Sequence, residues 1–170
     1  LFEIFDPGGA VHTSPVTSVR QVVMSDKSKP ELPWYASGLA FECTQCGNCC
    51  SGPASGFVWV DDREIEAMAR EMQLGDDLDT FRRRFVRQVG LRQSLVEYAD
   101  GDCIFLDPDT RHCAVYSSRP SQCRSWPFWD RNLQSPQAWK ATAQHCPGCN
   151  GGPVHSLDVI ESIRSMKKAT

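Results

Sequence analysis

The sequence lacks any long apolar run. No window approaches the 18 or so consecutive apolar residues that a membrane-crossing helix requires, so a helical span is excluded. The first twenty residues, "LFEIFDPGGAVHTSPVTSVR", have neither the basic start nor the unbroken apolar stretch of an export signal, which makes the cytoplasm the expected compartment. Charge of one sign is lacking too: 18 Lys and Arg stand against 21 Asp and Glu, a net charge of -3. That balance excludes the broad basic field behind non-specific nucleic-acid or membrane-surface binding, so neither partner is expected. Internal repeats and low-complexity tracts are missing. So are a Gly-rich phosphate loop, a Rossmann fingerprint and a recognisable Ser, His and Asp set, so no independent catalytic motif is visible and an enzymatic role stays open.

What the sequence does have is cysteine, nine in 170 residues. A disulfide framework suits an exported chain, but the odd count and the missing export signal oppose it. Scattered structural cysteines would show no regular spacing, whereas six of the nine here fall in Cys-x2-Cys steps or the one Cys-Cys pair. A redox dithiol needs one Cys-x2-Cys at a helix start rather than a clustered set. Metal or iron-sulfur ligation is the favoured explanation.

The length fits one domain of ordinary size. Residues 1–33, with Pro7, Gly8, Gly9, Pro15, Pro30 and Pro33 and no cysteine, read as an extended and partly disordered arm, in which "VTSVRQVVM" could make one short strand. The cysteine-rich domain covers 34–170. Within it "FVWV" reads as a strand, and Asp61 with Glu64 forms a capping-box pattern for a helix carrying Ile65, Met68, Ala69 and Met72 and ending at Gly75. A second helix is expected from Asp77 to Gln88, its Arg82, Arg83, Arg84 and Arg87 forming a solvated face. Strands are expected at 92–99 and in "CIFL", with Cys103 and Cys113 facing each other across a hairpin. Prolines keep "SSRPSQCRSWPFW" from being one helix, and helices follow at 136–144 and from Ser156 to Lys167. The cysteines fall in loops and at strand ends. The fold class is therefore α+β, a small single domain of helices and short strands around a cysteine-ligated metal centre.

A Cys-x2-Cys step bends the backbone so that two sulfurs converge while free amides hydrogen-bond them. Cys43, Cys46 and Cys49 reproduce the first three steps of the bacterial ferredoxin run, and then depart from it, since Cys50 follows at once and Ser51 replaces Pro. Neighbouring Cα atoms lie about 3.8 Å apart and successive side chains diverge in most conformations, so Cys50 is expected to serve a second metal, bridge two, or stay a free thiol. Cys103, Cys113, Cys123 and Cys146 supply further ligands, and Cys149 is the spare. His112 and His145 each precede a cysteine and read as neighbours of the site rather than ligands. Arg119 and Arg124, flanking Cys123, are expected to bind the cofactor by offsetting thiolate charge, and Tyr116, Trp126, Phe128 and Trp129 to screen it from water.

"CTQCGNCC", "CIFLD", "CAVYSSRPSQCRSWPF" and "CPG" resemble, in that order, the signature blocks of the YkgJ-type cysteine-cluster proteins, the CxxCxxCC family of zinc- or iron-chelating domains. The resemblance spans roughly residues 40–150 and implies that Cys43, Cys46, Cys49, Cys50, Cys103, Cys113, Cys123 and Cys146 are the recurring metal cysteines, while Cys149 has no counterpart. It implies zinc or an iron-sulfur cluster. Some relatives are associated with lysine methylation of flagellin, an activity not carried over to this chain. Together these features predict a protein holding an iron-sulfur cluster, of 4Fe–4S type, for electron transfer or as an accessory to another enzyme, with a protein partner. The alternative is a structural zinc module of one or two four-cysteine sites that mediates a protein interaction.

Overall fold

A computed structural model describes residues 31–52 and 56–166. The strand expected in "VTSVRQVVM" and the arm up to residue 30 lie outside the described residues. What is described is an α+β fold, and residues 32–166 belong to one compact unit.

The first helix begins where the capping box places it. The Asp61 carboxylate accepts from the Glu64 amide at 2.8 Å, and the Glu64 carboxylate accepts from the Asp61 amide at 3.2 Å, opening α1 (Asp62–Glu71). Its end differs from expectation. Gln73, not Gly75, takes the left-handed turn at φ 57°, and amides of Gln73 and Leu74 bond back to Arg70 and Ala69 carbonyls. This paired closure satisfies the last carbonyls, and Leu74 then packs on the core.

The second helix also stops early. α2 (Leu78–Phe85) gives way to strand β3 (Val86–Val89), which turns at Gly90 into β4 (Arg92–Leu95). Val86 and Val89 face Leu95 and Arg92 across the ladder, so cross-strand pairing ends the helix that was expected to run to Gln88. Of the expected helical arginine face, Arg87 therefore sits on the strand, paired with Glu97 at 3.1 Å. Short strand β2 (Trp59–Val60) adds to β4's other edge, giving the order β2-β4-β3. "CIFL" is a turn rather than a strand, closed by the Leu106 amide on the Cys103 carbonyl at 2.8 Å. Cys113 consequently pairs in the backbone with Leu106, while Cys103 pairs with Glu97.

The later elements are α3 (Ser121–Arg124), α4 (Asp130–Leu133), α5 (Pro136–His145), β5 (Cys149–His155) and α6 (Leu157–Met166). β5 pairs antiparallel with β1 (Leu39–Phe41), a strand pair that no sequence pattern announced. Two apolar clusters result. One gathers Ile65, Met68, Phe81, Leu95, Phe105 and Val115, with Cys103 and Cys113 against it. The other gathers Tyr35, Phe128, Trp139 and Ile160 with Cys146 and Cys149. The cysteines thus come from both clusters, from the loop between β1 and β2 and, for Cys123, from α3.

Candidate metal centre

The cysteine loop is shaped by one glycine. Gly47 has φ +74°, and a Cβ there would lie 2.7 Å from the Arg111 carbonyl oxygen and 2.9 Å from Leu106 Cδ1. It leads into a single 3-10 turn, Asn48–Cys50, closed by the Cys50 amide on the Gly47 carbonyl at 2.9 Å. Gly47→Ala is expected to cost about 1–2 kcal/mol from the left-handed backbone alone, with the clash added, read as a lower denaturation midpoint at unchanged m-value. The loop is tied down at three points. Asn48 donates to the His145 carbonyl at 2.8 Å, the Cys103 amide to the Cys50 carbonyl at 2.8 Å, and the Glu42 amide to the Gly148 carbonyl at 3.2 Å.

These ties bring Cys43, Cys46, Cys49, Cys50, Cys103, Cys113, Cys123 and Cys146 to the wall of one cavity of about 50 Å³. A water needs roughly 10–15 Å³ on this measure, so the space suits a few atoms. Cys149 is not on that wall. The adjacent pair does not diverge: Sγ of Cys49 and Cys50 lie 3.9 Å apart, because a 3-10 turn rotates successive side chains by about a third of a circle rather than a half. Four sulfurs at the usual 2.3 Å from zinc stand about 3.8 Å from one another, so this spacing matches one edge of a tetrahedral site. Among the described residues, no three Cys, His, Asp or Glu side chains are already gathered tightly enough to hold an ion.

Burial raises the thiols of Cys113 and Cys123 and pushes Cys103 up to about 11. Cys49 is raised first by its contact with Cys50 and then by desolvation of its sulfur at the cavity wall, although the residue as a whole is exposed. Cys146 is the exception, drawn down to about 5 by the Cys149 thiol, with help from the Trp126 indole N–H at 3.4 Å and the Gly148 and Cys149 amides. The wall thus sets one lowered thiol, Cys146, among several raised ones, and metal uptake would release protons.

Arg119 reaches the site and Arg124 does not. Arg119 lines the cavity, with Nη1 3.9 Å from Cys43 Sγ and its guanidinium 3.5 Å above the Tyr116 ring. The Tyr116 hydroxyl is itself raised by its hydrogen bond to Cys43. Arg124 instead donates to the Arg119 carbonyl at 2.8 Å, bracing that backbone from a surface hollow shared with Glu64 and Ser118. Its place in helix α3 with Cys123 turns it away from the cavity. Arg111 is the cation that sequence reasoning missed. It lines the cavity, holds Asp102 at 2.6 Å and donates to Ser51 Oγ. A basic residue two positions before Cys113 was the available signal. His112 and His145 are exposed and off the cavity wall. Of the expected screen, Tyr116 and Trp126 line the cavity, Phe128 lies in the adjoining core, and Trp129 packs edge-on against Trp126 at 4.9 Å.

Glu71 positions this corner from a distance. Its carboxylate at the end of α1 accepts from the Ser117 and Ser118 amides at 3.3 and 2.8 Å and from the Ser118 hydroxyl, fixing the turn that leads into Arg119. The Ser118 hydroxyl chiefly, then the amides, hold this carboxyl below its ordinary value of 4.5. A depressed carboxyl stabilises above the unfolded value and loses that contribution as pH falls through the folded one. Glu71→Gln is therefore expected to lower stability near pH 7 by about 1 kcal/mol, modest because the group is exposed, with the difference narrowing below pH 4.5 in parallel urea titrations.

A small α+β domain with eight thiols facing one cavity between two apolar clusters defines a cysteine-cluster metal-binding protein. The chain belongs to the CxxCxxCC family, described as "Putative zinc- or iron-chelating domain", whose model matches residues 42–147. An uncharacterized protein of Methanocaldococcus jannaschii is 30% identical over 111 residues, covering 65% of this chain and 57% of that protein. The chain thus spans little over half of that relative's length. No solved structure matches the chain.

Proposed function

We propose that the protein holds a polynuclear metal centre on its clustered cysteines, an iron-sulfur cluster first of all, and uses it in electron transfer or as an accessory to another enzyme. The observation that carries this is the convergence of eight thiols, from five separate stretches of chain, on one cavity. That is twice what a single tetrahedral ion takes. The donor set fits such a group: thiolates are soft ligands suited to iron-sulfur clusters and zinc, and both Arg119 and Arg111 offset their charge. An iron-sulfur cluster would supply one-electron chemistry when bound. The residues of this chain have their own tasks. Cys149 and then the Trp126 indole lower the Cys146 thiol, Tyr116 and Arg119 hold Cys43, and Phe41 with Trp126 keeps water from the wall. A protein partner would meet the centre at Cys49, the exposed cysteine of the set. Among the described residues no helix is long and apolar enough to cross a membrane, and we place the protein in the cytoplasm.

One observation favours the zinc reading, a structural module of one or two four-cysteine sites. The 3.9 Å between Cys49 and Cys50 sulfurs suits a tetrahedral edge, and eight thiols would serve two ions. Anaerobic purification with metal and sulfide analysis separates the two. Iron, labile sulfide and a broad absorption near ~400 nm support the cluster. A colourless protein with stoichiometric zinc, which cannot be reconstituted with iron, overturns it.

A further inference from the structure

Cys149 is the cysteine left off the cavity wall, yet it is not isolated. It is buried to the same degree as Cys146, each 8% exposed, and both pack in the same apolar cluster. Pro147 and Gly148 lie between them in a turn closed by the Cys149 amide on the Cys146 carbonyl at 3.0 Å. A four-residue turn of this kind keeps its end Cα atoms within about 7 Å, and a disulfide takes Cα atoms about 4.4–6.8 Å apart. Both thiols are free, so the turn itself sets the spacing that a disulfide needs. The turn is also locked in place. Cys149 opens β5 opposite Phe41, and a Cβ on Gly148 would lie 2.1 Å from the Glu42 carbonyl oxygen, so nothing larger than glycine fits. The competing pair is less suited: Cys49 and Cys50 are adjacent, and neighbouring Cα atoms about 3.8 Å apart fall short of the disulfide range.

We propose that Cys146 and Cys149 are a dithiol–disulfide pair, and that forming their disulfide withdraws Cys146 from the cavity's donor set and so gates loading of the centre. The gating rests on reading the cavity as a metal centre; the disulfide itself does not. Cys146 lines the cavity and Cys149 does not, so of this pair Cys146 is the sulfur that hydrogen peroxide in the unloaded cavity meets. The Cys146 sulfur takes one peroxide oxygen, the O–O bond breaks, and water leaves, giving a sulfenic acid. The Cys149 sulfur then attacks the Cys146 sulfur, the S–O bond breaks, and a second water leaves. Two thiols give up two electrons and two protons, and the peroxide becomes two waters. A thiol reductant restores both thiols by exchange.

The test uses the full chain, metal-free and reduced, treated with an equimolar amount of hydrogen peroxide. Peptide mass mapping is expected to show a mass loss of about 2 Da carried by one disulfide, Cys146 to Cys149. The oxidised protein should then bind less Zn²⁺ or Fe²⁺ under anaerobic conditions, with uptake restored by a thiol reductant. Cys149→Ser, given the same peroxide, should show no disulfide at Cys146, which should instead carry the trapped sulfenic acid, a gain of about 16 Da. A map that places the first disulfide elsewhere, with Cys146 still free, overturns the pair. Undiminished metal uptake by wild-type protein that carries the mapped Cys146–Cys149 disulfide overturns the gating. Should the reduced wild type bind neither metal while the map still shows Cys146–Cys149, the disulfide stands and the metal-centre reading fails.

Discussion

Removing the metal with a chelator is expected to lower the melting temperature by about 8–16 °C. A ligand that binds only the folded state adds roughly 4 kcal/mol when free metal is a thousandfold above its Kd, and a chain of this length shifts by about 2–4 °C per kcal/mol. The architecture makes the effect global. Cys103 and Cys113 pack on one apolar cluster, Cys146 on the other, and Cys43 to Cys50 on the loop between them. A shared ion would cross-link all three, and without it several thiols stay protonated at the wall. Scanning calorimetry before and after chelation gives the comparison. An unchanged melting temperature in a protein shown to have lost its metal would mean that the fold does not lean on the centre.

Cys50→Ser carries the other large effect, a loss of metal affinity greater than the roughly 10–100-fold typical of removing an outer-shell partner. Cys50 lines the cavity beside Cys49, and its carbonyl accepts the Cys103 amide, so its sulfur is placed by backbone rather than by chance contact. Serine keeps that backbone and removes only the soft donor. Competition against a chromophoric chelator gives the affinity, and Arg119→Leu, which removes a cation near Cys43 but no donor, should fall inside the 10–100-fold range. Wild-type metal content and affinity in Cys50→Ser would remove Cys50 from the ligand set.

Local chemistry was legible wherever one short stretch decides it. The Asp61 and Glu64 box, the α5 helix and the proline-broken segment around Cys123 all follow from neighbours a few residues apart. Legibility failed where a distant partner competes. Val86–Val89 continues the α2 spacing but is drawn into a strand by β4, and "CIFL" looks like a strand but is bent by the turn that delivers Cys103. The pairing of β1 with β5 joins residues more than a hundred positions apart, and no periodicity encodes it.

By itself the sequence determined the candidate donors: soft thiols, spaced so that Cys-x2-Cys steps can converge, in a family described as a zinc- or iron-chelating domain. Which cysteines share a cavity was decided only by the tertiary structure, because convergence depends on how the segments cross. It turned Cys49 and Cys50 toward the same space through a 3-10 turn, brought Arg111 in and left Arg124 outside, and set Cys149 behind Cys146 rather than on the wall. Spacing along a chain fixes what a residue can reach locally, whereas direction in space is set by packing two apolar clusters against one loop.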